Sequence, residues 1–221
     1  MAERGVIVEF DFAVADGADI LFEAARGFMK KLDGINLDAI QEARFLSGRT
    51  YLEGFTKLFA SVRTKKTPQK AAREFPAVFA GAMAAAAPTA IGVAFKNFLK
   101  AIAEKGVKIV ILSRVPEETL RPVFGFLPAG AVSFWLETSS LYGAPQWDSW
   151  RRASRSAGLG SASVLALTGS GAGVKAALRT GMGSVAVQRE HTAWQGYVGA
   201  HDVLSELSGK TAKRILELLH V

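Results

Sequence analysis

The sequence predicts an α/β protein with a doubly wound parallel sheet and a helical domain inserted after the first strand. An apolar run typical of a buried strand, Val6 to Val8, opens the chain. Residues 17–87 then show helical periodicity and no strand pattern. From Val107 onwards, apolar runs alternate with helical segments, as in proteins whose parallel strands are joined by helices. We therefore expect a core domain of residues 1–16 and 88–221, with residues 17–87 forming a helical cap domain.

Four helices are predicted within the insertion. Apolar residues at helical spacing run from Ile20 to Leu32, and Asn36 is a suitable N-cap for a second helix reaching Phe45. A third apolar stripe covers Tyr51 to Val62. Thr67–Pro68 has the composition of a helix start, because proline is favoured at the first helical position. Four helices of this length predict a small bundle.

The remaining elements belong to the predicted core domain. Pro88 is expected to break the chain between the insertion and the core. We predict four further strands, in the ranges Val107–Ser113, Ala131–Leu136, Ser163–Thr168 and Ser184–Val187. The predicted helices of this part are Phe95–Ile102, Glu117–Phe126, Trp147–Ala157, Ala172–Thr180 and Thr211–Leu219.

Composition narrows the classes of function. With 27 basic and 20 acidic residues the net charge is +7, which favours anionic partners such as phosphate compounds or a nucleic acid backbone. The chain has no cysteine, so disulfides and thiolate metal sites are excluded, and its three scattered histidines do not predict zinc. Neither a signal peptide nor a membrane span is predicted, and we expect a soluble, cytoplasmic protein.

An acidic pair, Glu9 and Asp11, follows the first strand. Strand side chains alternate in direction, so both carboxylates are expected to leave the sheet on one side. The carboxyl end of a parallel strand is the usual place for a ligand in this class of fold. The pair therefore predicts the location of a binding or catalytic site.

Five segments follow one another in a recognisable order and spacing: Val8–Asp11, Ile111–Ser113, Tyr142–Pro145, Leu167–Val174 and Gly199–Leu204. In that order they resemble the motifs of the haloacid dehalogenase-like (HAD) superfamily. The resemblance is to its phosphoglycolate phosphatase and β-phosphoglucomutase branch, which has a helical cap, and it covers nearly the whole chain. It implies a Rossmann-like core and a phosphatase-like hydrolase.

The departures from the family pattern concern the residues that do the chemistry. In active members an Asp attacks phosphorus, a second Asp is the general acid and base, a Lys steadies the intermediate, and a further Asp completes a Mg²⁺ site. The resemblance places Glu9 at the nucleophile, Ala144 at the Lys and Gly169 at the metal-ligand Asp. Asp11 and Ser113 match the pattern.

These replacements predict impaired catalysis. The extra methylene of Glu9 displaces its oxygens by about an ångström, and such an error can cost ~10²-fold in rate. Between Asp148 and Glu190 the sequence has no acidic residue that could replace the lost ligand. Two alternatives stay open: an active Mg²⁺-dependent phosphatase with unusual residues, and a nucleotide-binding module using the Gly169–Gly173 turn.

The candidate site residues fall into two groups. Glu9 and Asp11 are the candidate catalytic residues, and they are the metal ligands if Mg²⁺ is bound at all; no other cofactor is expected. Phosphate or another anion is expected at Ser113, Arg114, Gly169 and Ser170. For three of these residues a structural role is the alternative: Asp11 as a loop cap, Glu9 as the partner of a nearby cation such as Arg114, and Ser113 as a strand end.

The expected partner is a phosphorylated small molecule or an inorganic anion, bound in a cleft between cap and core. A protein partner or a homodimer is a further possibility for a chain without catalysis. We do not expect a membrane or a nucleic acid among the partners.

Overall fold

A computed structural model of the chain describes residues 3–46, 49–137, 146–189, 192 and 195–220. Six strands form one parallel sheet in the order β3-β2-β1-β4-β5-β6. Their bounds are β1 Gly5–Glu9, β2 Lys108–Ser113, β3 Val132–Leu136, β4 Val164–Thr168, β5 Gly183–Val187 and β6 Asp202–Leu204. The order runs outwards in both directions from β1 and β4, which confirms the predicted doubly wound parallel sheet.

Nine α-helices lie within the described part of the chain. Four of them lie between β1 and β2, where four helices were predicted: α1 Gly17–Asp33, α2 Ala39–Phe45, α3 Tyr51–Ser61 and α4 Pro68–Ala90. The other five are α5 Val93–Glu104, α6 Glu117–Leu120, α7 Trp147–Ser156, α8 Gly171–Arg179 and α9 Gly209–Leu218.

The sheet separates two helical layers. Alternate residues of the central strands pack on α7 and α8 on one side, for example Ile7 and Val110 against Trp150. On the other side, Val6 and Val8 belong to a cluster that includes α5 and α9. That second cluster continues without interruption into the buried faces of α1, α3 and α4. The insertion and the sheet therefore share one hydrophobic core.

Three predicted boundaries were wrong. The second helix is capped by Asp38, not by Asn36, because the Asp38 carboxylate accepts from Gln41 N at 2.7 Å while the Gln41 side chain accepts from Asp38 N. Pro88 lies inside α4, and the chain breaks after it, at Ile91 and Gly92. Ala87 and Met83 are fully buried on α4, so tertiary packing carries the helix past the proline.

The third boundary concerns the segment after β2. The predicted helix Glu117–Phe126 is a single α-helical turn, α6, followed by a 3₁₀ helix over Arg121–Phe124. Pro122 has no N–H for an α-helical hydrogen bond, which favours the tighter form there. Strand β6 was not predicted, because three residues are too few to show a strand pattern.

Within the described ranges, no single helix is long and apolar enough to cross a membrane. Helices α4 and α5 reach that length and composition together, but they are bent by 82° at the break between them.

Candidate functional site

The candidate site lies at the ends of the central strands, where the order of the strands in the sheet changes direction. β1 pairs with β2 on one side and β4 on the other, so the ends of these three strands meet. Glu9, Ser113 and Thr168 are the last residues of those strands. Ligands of doubly wound proteins bind outside the carboxyl ends of the strands at this point.

The alternation of strand side chains predicted that the strand continues through Asp11, and this was wrong. β1 ends at Glu9, and Phe10–Val14 form a π-helical turn whose Phe10 carbonyl accepts from Ala15 N at 2.9 Å. All five residues of the turn are buried. π-Helical turns are rare and occur often at functional sites. Tertiary packing brings Asp11 to the end of the sheet even though strand geometry does not.

Glu9 is fully buried. Its Oε2 is hydrogen-bonded to the Thr168 hydroxyl, and its Oε1 has no hydrogen-bond partner among the described residues. Burial raises the pKa of the Glu9 carboxyl to about 8, with a smaller rise from the charge of Asp11; Thr168, Arg114 and the Gly169 amide act in the opposite direction. The Glu9 carboxyl therefore keeps its proton to a higher pH than an exposed glutamate does.

Asp11 is the better-connected carboxylate. Its Oδ1 accepts from Ser113 Oγ at 2.5 Å, and its Oδ2 accepts from Arg114 N at 3.1 Å. The Arg114 guanidinium lies 3.5 Å from the same oxygen. Burial raises the pKa of Asp11, while Arg114 and Ser113 lower it. The predicted ion pair of Glu9 with Arg114 was wrong, since the partner of Arg114 is Asp11.

Arg114 also connects the sheet to the insertion. Its guanidinium lies 5.7 Å from the ring centre of Phe79 on α4, and its side chain is 5% exposed. Tyr51 of α3 is buried in the same region: burial raises the pKa of its phenol to about 12, and the charges of Arg114 and Asp11 both act on it. The inserted helices therefore close over the acidic pair.

Ser113 holds the turn after β2. Its hydroxyl donates to Asp11 and accepts from Val115 N at 3.0 Å. Both functions of the hydroxyl are occupied within the protein. A phosphate group at this position would have to displace one of these contacts.

Gly169 lies directly against the π-helical turn. A Cβ at this position would be 2.1 Å from the carbonyl oxygen of Phe12 and 2.4 Å from its carbonyl carbon. Any side chain here requires the backbone to move. The residue that the resemblance assigns to a metal-binding Asp has lost its carboxylate, and the space for one is filled.

The amides of the Gly169–Gly173 turn are largely occupied. Gly171 N donates to Gln195 Oε1 at 2.8 Å, and Gly173 N donates to Ser170 Oγ at 3.0 Å. Ser170 N is 3.3 Å from the Thr168 hydroxyl. The glycines also meet atoms of the protein, since a Cβ on Gly173 would be 2.0 Å from Thr168 Oγ1. Close packing explains these glycines without a phosphate.

A pocket of about 240 Å³ opens beside the π-helical turn. Phe12, Asp16, Asp19 and Arg189 line it. Arg189 donates to the carbonyl oxygens of the turn residues 13 and 14 at 3.1 and 3.3 Å, and its Nε lies 3.9 Å from Asp16. The two carboxylates offset the charge of Arg189, so this pocket does not favour an anion.

The residues present do not fit a Mg²⁺ site. No group of three or more metal-ligating acids or histidines occurs in the part of the chain that the structure covers. Mg²⁺ requires octahedral oxygen ligands, whereas the Asp11 carboxylate is paired with Arg114 and the Phe12 carbonyl fills the space beside Gly169. Ala144, at the position of the family's Lys, lies outside the described residues.

Sequence reasoning missed two contributors to the site. Thr168 was placed in a strand and in the segment Leu167–Val174 but was given no role in the site, although a hydroxyl ending an apolar strand before a glycine is a usable signal. Tyr51 was assigned to a helical stripe, and nothing in that pattern distinguishes a core tyrosine from one that faces the site.

Comparison with known proteins gives a fold. No family model matches the chain, and no curated protein matches it. Solved structures do match the chain. CbbY from Rhodobacter sphaeroides in complex with phosphate aligns with a TM-score of 0.71 and 14% identity, covering 96% of each chain.

Two further structures agree. β-Phosphoglucomutase from Clostridium difficile has a TM-score of 0.70 and 15% identity, over 100% of this chain and 98% of that one. A HAD hydrolase of family IA, variant 3, from Entamoeba histolytica has a TM-score of 0.70 and 14% identity, over 99% of this chain and 100% of that one. The chain has the α/β fold of HAD-like hydrolases along its whole length, and identities this low show the fold alone.

Proposed function

We propose that this chain is a HAD-superfamily protein that lacks Mg²⁺-dependent phosphatase activity and binds a phosphorylated small molecule or another anion at the end of its sheet. One observation carries the first part. The Phe12 carbonyl occupies the space next to Gly169 where a metal-binding carboxylate would have to stand. Phosphoryl transfer depends on positioning and on neutralising charge, and this site provides no anchor for the ion that does both.

Arg114 supports the second part. It is a cation held at the end of β2, buried against Phe79 and paired with the Asp11 carboxylate. An anion entering the site would compete with Asp11 for Arg114. Burial raises the pKa of Asp11, so that carboxylate takes up a proton at a higher pH than an exposed aspartate does.

Hydrolysis of p-nitrophenyl phosphate with and without Mg²⁺ tests the absence of activity. We expect no Mg²⁺-dependent turnover above that of Asp11→Asn. Mg²⁺-dependent turnover that Asp11→Asn abolishes would establish the active phosphatase instead.

Thermal unfolding with orthophosphate and with a sugar phosphate tests binding. A ligand at 100 times its Kd adds about 2.7 kcal/mol of stability, which is a readily measured shift. At pH 8 and at pH 5.5 the shift should be lost in Arg114→Met and should persist in the control Arg121→Met, whose side chain is 67% exposed. Absence of any shift for either anion at both pH values would refute the binding role.

The nucleotide-binding alternative has no comparable support. It needs free amides at the start of α8, and Gly171 and Gly173 already donate to side chains of the protein.

A further inference from the structure

The outer face of α7 and α8 carries a concentration of positive charge around an exposed tryptophan. We define this basic surface by the residues Trp147, Arg151, Arg152, Arg155, Lys175 and Arg179. It lies on the side of the sheet opposite the inserted helices, since α7 and α8 pack on the other face of the strands. The candidate site does not use any of these residues.

Trp147 organises the surface. Its ring centre is 4.9 Å from the Arg151 guanidinium carbon and 5.9 Å from that of Arg179, so it joins a cation of α7 to a cation of α8. The tryptophan itself is 37% exposed. Two guanidinium groups are thus held in place beside an aromatic ring that solvent can reach.

The positive charge is only partly neutralised. Asp148 pairs with Arg151 and Arg152, at 2.7 Å in each case. Arg155, Lys175 and Arg179 are exposed and have no carboxylate partner in the described ranges. The sequence has no acidic residue from 149 to 189. The surface therefore keeps a local excess of cations along a helix of ten residues, about 15 Å long.

We propose that the basic surface binds single-stranded nucleic acid. Several separated cations suit a chain of phosphates better than one small anion. Four of the five cations are arginines, whose planar guanidinium groups pair with phosphate and stack on bases, and the Trp147 ring holds two of them in position. The sequence alone led us to expect no nucleic acid, because it shows two separate charged helices and not their joint surface.

Fluorescence anisotropy with a labelled single-stranded RNA of 12 nucleotides and mixed sequence tests this proposal. We expect binding at 50 mM salt that weakens steeply towards 200 mM. Arg155→Gln/Lys175→Gln/Arg179→Gln should lose at least tenfold in affinity, with the log–log salt slope reduced by about 2, as expected for three lost contacts to a single strand. Trp147→Ala should weaken binding several-fold because the Arg151 and Arg179 guanidinium groups lose the ring that holds them in position.

A matched control removes three exposed cations elsewhere. Lys100→Gln/Lys210→Gln/Lys213→Gln changes the net charge equally but lies on α5 and α9, and it should lose less than threefold. Equal losses in the two triple variants would overturn the proposal. So would absence of RNA binding at 50 mM salt, or equally tight binding of polyglutamate, polyphosphate or anionic vesicles. All substituted cations are exposed, and urea unfolding verifies that each variant is folded.

Discussion

Glu9 is fully buried, and the protein stabilises the charged form of its carboxyl only weakly. One carboxyl oxygen accepts a hydrogen bond from the Thr168 hydroxyl, and the other has no hydrogen-bond partner among the residues described. Buried carboxyls in such surroundings stay protonated over a wider pH range than in water. At the residue scale, then, the burial of the Glu9 carboxyl favours its neutral form.

This arrangement makes stability depend on pH in a defined direction. The pKa of Glu9 is about 8 in the folded protein against 4.5 in the reference state, so between these values the folded state binds more protons than the unfolded state. Its contribution to the free energy of unfolding therefore falls as the pH rises from 4.5 to 8. Glu9→Gln removes the ionisation while keeping the shape.

We expect Glu9→Gln to be more stable than the parent at pH 8.5, by on the order of a few kcal/mol, and nearly equal to it at pH 4.5. Urea unfolding at the two pH values measures the difference. The exposed control Glu23→Gln should show no such pH-dependent gain. A destabilised Glu9→Gln at pH 8.5 would mean that the charged form is required for folding.

Gly169 gives a second test at the same scale. Gly169→Ala places a Cβ 2.1 Å from the Phe12 carbonyl oxygen, and the backbone must shift. We expect a loss of about 1–3 kcal/mol in the free energy of unfolding, typical of overpacking. Gly27→Ala, within α1 and with no atom near its Cβ, should instead gain up to about 1 kcal/mol. A neutral Gly169→Ala would show that the space beside Phe12 is open.

At the scale of elements, local signals decided where helices start more than where they stop. α2 is only seven residues long and depends on its capping box, in which the Asp38 and Gln41 side chains each accept from the other's backbone N–H. α4, by contrast, passes through Pro76 and Pro88 because one of its faces is buried along its whole length. Caps are local chemistry, whereas tolerance of a proline is a tertiary effect.

Asp38→Ala should lower the stability of the protein by about 1 kcal/mol and increase amide hydrogen exchange within α2, because it removes the acceptor for Gln41 N. Asp38→Ser should retain most of the stability, since serine is also a good N-cap. Equal values for Ala and Ser would show that the cap does not stabilise α2.

At the scale of the molecule, the inserted helices and the sheet are connected by one buried cluster. Phe79 of α4 packs against Phe12 of the π-helical turn and Phe75 of its own helix, with ring centres 6.2 and 6.5 Å apart, and lies beside Arg114. Such continuity predicts that insertion and core lose structure together, and that movement between them disturbs the candidate site.

Phe79→Ala should therefore lower the free energy of unfolding by about 3–5 kcal/mol while calorimetry still shows one transition. Ile40→Ala, at a side chain that is 77% exposed, should change it by less than about 0.5 kcal/mol. Two separate transitions, only one of them shifted by Phe79→Ala, would show that the inserted helices unfold independently.

The sequence by itself determined the fold class, the position of the insertion between β1 and β2, and the five longer strands. Apolar periodicity and strand runs are local and strong in these elements. The resemblance to the HAD superfamily also assigned Glu9, Asp11 and Ser113 to one site. β6 was too short to be visible, and Pro88 was taken for a break that packing overrides.

Only the tertiary structure decided how the site residues pair. Arg114 pairs with Asp11 and not with Glu9, Thr168 holds Glu9, and the Phe12 carbonyl fills the space beside Gly169. The tertiary structure also decided that Trp147 contacts a cation of α7 and a cation of α8. These are contacts between residues far apart in sequence, and their distances depend on the packing of every element between them. Periodicity carries no information about such contacts.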